Sequence, residues 1–339
     1  MRGIYIVTFI LLLSSASIAC EKITIEIDDD NINQGENGNG GDITTPANNH
    51  FQMERFGIFE AWEQRQGGAV YGDYLITLNA TDRETNPNGF IYDIQSGRKI
   101  CDMYFPNTLD GKSYYKPHAN QVSFGEAFYD AESSFPLLYV SQVNGGSGYN
   151  DIRGERGVLV YNLKQTSNNT YEPELVQAVI PDLNDSSLMK KIGNYTPNYI
   201  VDPEHNQFVI IGYPNNSWYD LSGEQPVVLI EIPQLSDGSE VVFTKDAVID
   251  SYTLDMAIGP QQSFYYGGKI FSSGGDRGQA SLRVIDLASK SVEYYKDMSV
   301  ITNGEPQFLG LWGSKVLYYE YDTSGQIYEL KIPGYSFDN

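Results

Sequence analysis

The sequence predicts an all-β chain folded as a β-propeller, most simply five four-stranded blades closed by a strand from the N-terminal side. Three observations predict it. One tetrapeptide type recurs five times, an apolar strand candidate precedes each copy, and Tyr (26) and Gly (33) are abundant among many short apolar runs. That composition suits strands and turns better than helices.

The tetrapeptides are Ile91-Tyr92-Asp93-Ile94, Val160-Tyr161-Asn162-Leu163, Leu229-Ile230-Glu231-Ile232, Val284-Ile285-Asp286-Leu287 and Ile327-Tyr328-Glu329-Leu330. Strand candidates at 74–78, 137–141, 207–212, 269–272 and 315–319 precede them. An earlier strand opens at Pro117-His118-Ala119-Asn120, Pro197-Asn198-Tyr199, Pro260-Gln261-Gln262 and Pro306-Gln307-Phe308, with Gln66-Gly67-Gly68 at the same place in the first unit. A further strand follows at 99–105, 174–180, 240–245 and 292–296. Each unit therefore reads A, B, C, D, and four-stranded units repeated around an axis make a propeller. A β-sandwich would not repeat one signature five times. Six or seven blades would require degenerate units hidden in long connections, chiefly between Asn162 and Pro197.

The fifth unit ends after its C strand near Pro333. Its D strand is expected from 51–60, which pairs the two ends of the chain and removes open edges. The main insertion, 182–195, places Asn184-Asp185-Ser186-Ser187 before Leu188-Met189-Lys190-Lys191-Ile192-Gly193, the pattern of a short capped helix ending at glycine.

The N-terminal segment is organised differently. Met1-Arg2 begins it, an apolar run from Ile4 to Leu13 follows, and Ser14-Ser15-Ala16-Ser17-Ile18-Ala19-Cys20 ends it. This is the pattern of a signal peptide over residues 1–19. The apolar run is shorter than the roughly 20 residues of a membrane-spanning helix. Ser17-Ile18-Ala19-Cys20 resembles the lipobox of bacterial lipoproteins, although that family prefers Leu where Ser17 stands. The resemblance implies lipidation of Cys20. Residues 20–50, with Asp28-Asp29-Asp30 and an Asn/Gly/Asp/Thr stretch from Asn31 to Asn49, read as a flexible acidic tether. Gln34 stands where a calcium loop needs Gly, and no Glu follows at the twelfth position, so an EF-hand is excluded. Cys101 then has no partner within the chain, and its alternating surroundings predict a small buried residue rather than a reactive thiol.

The formal net charge of −22 makes nucleic acid a poor partner. Binding residues are expected on the face that carries the B–C loops and the entrances to the A strands, because loops there are free to vary. Of nine arginines, Arg83, Arg153, Arg156 and Arg277 fall in the B–C loops, and Arg65 stands at the entrance to the first blade. Guanidinium groups fork onto carboxylates and phosphates or stack on rings. Pairing with Asp82, Asp151, Glu155 and Asp276 is the plainer alternative. Tyr149, Trp218 and Tyr219 offer aromatic surfaces for stacking. His118, with Asn120, Asn198, Gln261 and Gln307, is expected at the mouth of the central channel, where amides and an imidazole hydrogen-bond a polar ligand or simply satisfy strand ends. His205 is expected on the opposite face, and Trp312 in an A–B turn as a packing residue.

No catalytic residue, metal site or cofactor is assigned. There is no metal-ligand histidine pair, no G-x-S-x-G, no P-loop and no paired cysteines. Five-bladed propellers include glycoside hydrolases, which need two carboxylates across a pocket. Asp202, Asp276, Glu305 and Glu320 are candidates that sequence does not bring together.

Lipobox, acidic tether and propeller together resemble surface lipoproteins of Bacteroidota that capture nutrients beside outer-membrane transporters. Pro117-His118-Ala119-Asn120-Gln121-Val122-Ser123-Phe124-Gly125 and Phe135-Pro136-Leu137-Leu138-Tyr139-Val140-Ser141 are similar to uncharacterised propeller-like proteins of that group. The resemblance implies a lipid-anchored, surface-exposed protein of the outer membrane that binds a small molecule or glycan without catalysis, with a transporter as partner. A glycan-active hydrolase or lyase, and a protein-interaction platform, are the alternatives.

Overall fold

A computed structural model describes residues 24–26, 50–60, 66–79, 87–114, 118–141, 156–193, 197–215, 221–321 and 324–337. Five sheets, antiparallel apart from one edge strand, stand in a ring, one per predicted blade. Blade one is Gly67–Tyr71, Tyr74–Leu78, Gly89–Asp93 and Lys99–Met103. Blade two is Val122–Phe124, Leu138–Ser141, Val158–Ser167 and Thr170–Pro181. Blade three begins Asn198–Asp202, Gln207–Ile211 and Gln225–Glu231. Blade four is Pro260–Tyr266, Lys269–Gly274, Ser281–Asp286 and Ser291–Asp297. Blade five is Pro306–Trp312, Lys315–Glu320 and Gln326–Lys331. Its fourth strand is Gln52–Ile58, antiparallel to Gln326–Lys331, as the sequence predicts. Thr24–Glu26 pairs in turn with Gln52–Ile58.

The repeated tetrapeptide has a physical explanation in this ring. Successive residues of a strand point to opposite faces of the sheet, and both faces of each blade are buried against a neighbour. Ile91 joins the apolar cluster between blades one and two, while Tyr92 joins the cluster between blades five and one. Val160 and Tyr161, Leu229 and Ile230, Val284 and Ile285, and Ile327 and Tyr328 divide in the same way between the following and the preceding interface. The core is therefore five inter-blade layers, and the first two tetrapeptide positions must both be large and apolar.

One predicted strand is misassigned. Glu240–Phe243 is not the outer strand of blade three. It runs parallel to Thr170–Pro181 at the edge of blade two, with Ala178 opposite Glu240. Val248–Leu254 takes the outer place in blade three, antiparallel to Gln225–Glu231. Both segments are short and rich in β-branched residues, so local composition does not choose between them. Side chains distant in sequence hold the first one outward. Gln177 Nε2 donates to the carbonyls of Gln234 and Gly238 at 2.9 Å each, and Tyr114 Oη donates to Glu240 at 2.6 Å.

The predicted insertion helix is Ser186–Ile192. Asp185 caps it, accepting from the Ser187 and Leu188 amides at 3.0 and 3.1 Å. Leu188 and Ile192 bury themselves between blades two and three.

Candidate functional site

The inner strands place an amide at the start of every blade. Gln66 precedes strand A of blade one, Asn120 precedes that of blade two, and Asn198, Gln261 and Gln307 open those of blades three, four and five. All five are buried. The structure brings several of these predicted residues together across the channel. Asn120 Nδ2 donates to Gln261 Oε1 at 2.8 Å, and Gln261 Nε2 donates to Glu305 Oε1 at 3.0 Å. Asn198 Nδ2 donates to the carbonyls of Pro260 and Gln261 at 3.3 and 2.9 Å.

A second layer ties blades two and four directly. Gln121 Oε1 accepts from the Ser263 amide at 2.8 Å, and Gln121 Nε2 donates to the Ser263 carbonyl at 3.0 Å. Reciprocally, Gln262 Oε1 accepts from the Val122 amide at 3.1 Å, and its Nε2 donates to the Val122 carbonyl at 2.8 Å. These side chains imitate a backbone ladder where two inner strands are too far apart to make one. Each such bond contributes about 1 kcal/mol net, and leaving a buried partner unpaired costs more.

The backbone at the mouth is unusual. Ala119 has φ of 63°, a left-handed conformation that a residue with a Cβ rarely adopts. It turns the chain so that His118 and Asn120 both face the mouth region. Its carbonyl oxygen occupies the space where Gly67 lacks a side chain.

Glu305 completes the mouth. Burial, and next the charge of Asp276, push its carboxyl above the usual carboxylate range, while Gln261, Gln307 and His118 favour its charged form. Gln307 does this without a hydrogen bond of ordinary length, since neither its amide nitrogen nor its oxygen has a partner within that reach. Asn120 Oδ1, Asn198 Oδ1 and Gln66 Oε1 are likewise buried acceptors without a donor. Asp276 accepts from the Arg277 amide at 2.7 Å, and the exposed Arg277 guanidinium lies over the Tyr321 ring, 5.7 Å from its centroid.

Glu305 is the member that the sequence reading left unplaced. Only proximity in the fold, to a residue 44 positions away, reveals its part. Arg65, Arg83, Tyr149, Arg153, Trp218 and Tyr219 lie outside the described residues, as does Cys20. His205 sits in the A–B turn of blade three, with its Nδ1 2.9 Å from Asp202. Trp312 packs edge-on against Phe56 and donates to Asp73 at 3.2 Å. Among the described residues no three of His, Cys, Asp and Glu gather as a metal site.

The other end of the channel is a different environment. A cavity of about 190 Å³ opens between the outgoing halves of the inner strands, lined by Val70, Phe124, Val201, Phe264, Tyr265 and Leu311 among others. The two ends thus differ in lining: amide side chains at the mouth, and a mixture of apolar side chains with Ser123, Gln262 and Ser263 in this funnel.

The fold defines the chain as a five-bladed β-propeller. No protein-family model matches it, and no curated protein is significantly similar to it. Among solved structures, it is similar to the PQQ-bound aldose sugar dehydrogenase of Streptomyces coelicolor, with 11% identity and a TM-score of 0.47 over 85% of this chain and 99% of that one. It is also similar to Myxococcus xanthus glutaminyl cyclase, with 10% identity and a TM-score of 0.45 over 82% and 95% of the two chains. A third is the β-propeller domain of Myceliophteria thermophila Cps50 (Swd1), with 8% identity and a TM-score of 0.40 over 82% and 99%. Similarity at this level carries no activity to this chain; the propeller stands on its own five sheets.

Proposed function

We propose that this protein is a lipid-anchored lipoprotein of the outer-membrane surface that binds a small molecule or glycan at the mouth of its channel, without catalysis and beside a transporter. The supporting observation is the set of buried amide oxygens at the mouth that no protein donor satisfies. Unmet acceptors in a folded interior are costly, and a polar ligand supplies what they lack. His118, Asn120, Asn198, Gln261, Asp276, Arg277 and Gln307 form the described part of this site, while Arg65, Arg83, Tyr149, Arg153, Trp218 and Tyr219 are its expected loop contacts. Cys20 is the proposed lipid attachment point.

Screening against glycans, siderophores and corrinoids tests the reading. His118→Ala, Trp218→Ala and Arg277→Ala together are expected to abolish affinity for any hit while leaving the thermal transition in place. Retained affinity in that triple variant would move the site elsewhere.

A second reading, a glycan-active hydrolase or lyase, is favoured by Glu305 alone. A carboxyl whose pKa is raised beside a second carboxylate is the arrangement of an acid–base pair. That reading requires turnover of a glycan, with loss of turnover in Glu305→Gln.

A further inference from the structure

We propose that the channel mouth is a seat for an ammonium group, so that the ligand is an aliphatic amine or an amino sugar. This rests on the mouth being the binding site and narrows what binds there.

Hydrogen-bond directions at the mouth follow from one another. The Glu305 carboxylate accepts, so the Gln261 amide nitrogen must face it, at 3.0 Å. The same nitrogen faces the Gly275 carbonyl at 3.4 Å. Gln261 Oε1 then faces Asn120, whose nitrogen donates to it at 2.8 Å. That leaves Asn120 Oδ1 as the unmet atom, and reversing the amide would set two oxygens against each other. Asn198 is oriented independently. Its nitrogen meets two backbone carbonyls, which only accept, so Asn198 Oδ1 is also left over.

Among the mouth amides unmet acceptors therefore outnumber unmet donors: the oxygens of Gln66, Asn120, Asn198 and Gln307 stand against the nitrogen of Gln307. The chain of bonds from Asn120 through Gln261 ends on the partly desolvated Glu305 carboxylate, on which Asp276 and, with opposite sign, His118 also act. A hydroxyl group brings one donor and its own lone pairs, which these oxygens repel. An ammonium group brings three donors, no acceptor and a positive charge. Arg277 does not neutralise the carboxylates by a side-chain bond in this arrangement, because its guanidinium lies over Tyr321. The net charge of −22 steers cations toward the molecule as a whole.

The test uses glucosamine and glucose, 1,4-diaminobutane and calcium chloride as probes of the purified full chain. Saturation-transfer NMR and calorimetry read binding at a pH where the amines are protonated. Glucosamine and 1,4-diaminobutane are expected to bind, with glucose weaker by about tenfold, the loss of one charge-assisted contact. Glu305→Gln, which keeps the shape of the side chain, is expected to remove that preference, and Asn120→Ala to weaken the amines further. Equal binding of glucose and glucosamine, both weakened by Asn120→Ala, would overturn the ammonium seat and leave the binding site standing. Amine binding unaffected by either substitution would overturn both the seat and the site. Calcium bound at the mouth in place of the amines, and lost in Glu305→Gln, would replace the ammonium seat by a metal site. Absence of binding by every probe overturns the ammonium seat, and the wider ligand screen then decides the binding reading separately.

Discussion

The carbonyl oxygen of Ala119 lies 2.1 Å from the point where a Cβ on Gly67 would stand. The two residues belong to neighbouring blades, and their contact joins the left-handed turn at the mouth to the first inner strand. Gly67 is required for this approach rather than for its own conformation. Gly67→Ala is therefore expected to destabilise the protein by about 1–3 kcal/mol, the cost of forcing atoms into an already filled interior. Thermal or denaturant unfolding reads this directly. Gly72→Ala is not a fair control, because Gly72 has a positive φ of its own. Gly57→Ala is the better control, since nothing lies within 4 Å of its added carbon.

Glu305 carries a pH signature. Its folded pKa is raised, so the native state holds that proton more tightly than the unfolded chain. Stability from this group is present at low pH and declines as pH rises through the folded value. At neutral pH the charged side chain is a net cost. Glu305→Gln is expected to match or exceed the parent protein's stability at neutral pH, with the difference shrinking on acidification. Unfolding measured across the carboxylate range checks it. A lower stability for Glu305→Gln at neutral pH would show that its charge supports the fold.

Arg283 is a buried guanidinium in the middle of blade four. It donates to the Met256 carbonyl at 2.6 Å, but its Nε and Nη2 have no hydrogen-bond partner. Burial lowers its pKa to about 9. Such a charge costs more than one hydrogen bond returns. Arg283→Met, of similar length and apolar, is expected to melt at or above the parent protein. Arg283→Ala, which opens a cavity, is expected to melt below it.

Cys101 lies in the outer strand of blade one, packed against the cluster between blades one and two. Burial raises its thiol pKa. The thiolate is the reactive form, so modification by a disulfide reagent at mildly alkaline pH is expected to be slower in the folded protein than in the denatured chain. Equal rates would mark it as an open thiol.

Lys269 bridges Asp286 at 2.5 Å and Glu293 at 2.7 Å. The Lys269 bond, followed by the Ser289 amide, lowers the Asp286 pKa to about 2. A depressed carboxyl stabilises the native state above its unfolded pKa and loses that contribution as pH falls toward the folded value. The two side chains are partly buried, 27% and 20% exposed, and water still screens the pair, so Asp286→Asn is expected to cost about 1 kcal/mol at neutral pH. The difference should vanish near pH 2.

Much of the architecture was legible because each blade repeats the same local problem. Ile91 and Tyr92 must both be buried, one toward each neighbour, and the same demand recurs at Val160 and Tyr161. A constraint met by adjacent residues leaves a mark in the sequence, and five marks set the number of blades. The closing strand was legible for a related reason: blade five lacked a fourth strand, and Gln52–Ile58 had no other place.

The outer strands and the mouth were decided by tertiary structure. Glu240–Phe243 and Val248–Leu254 are both short and rich in β-branched residues, and long-range bonds from Gln177 and Tyr114 hold the first of them at blade two. Asn120 and Gln261 are 141 positions apart, and no periodicity relates them. The sequence by itself determined that an amide opens each inner strand, through the repeated strand starts. Which amide nitrogen faces which oxygen, and that Glu305 ends the chain of bonds, follows only once the ring closes and hydrogen-bond directions must agree across the axis.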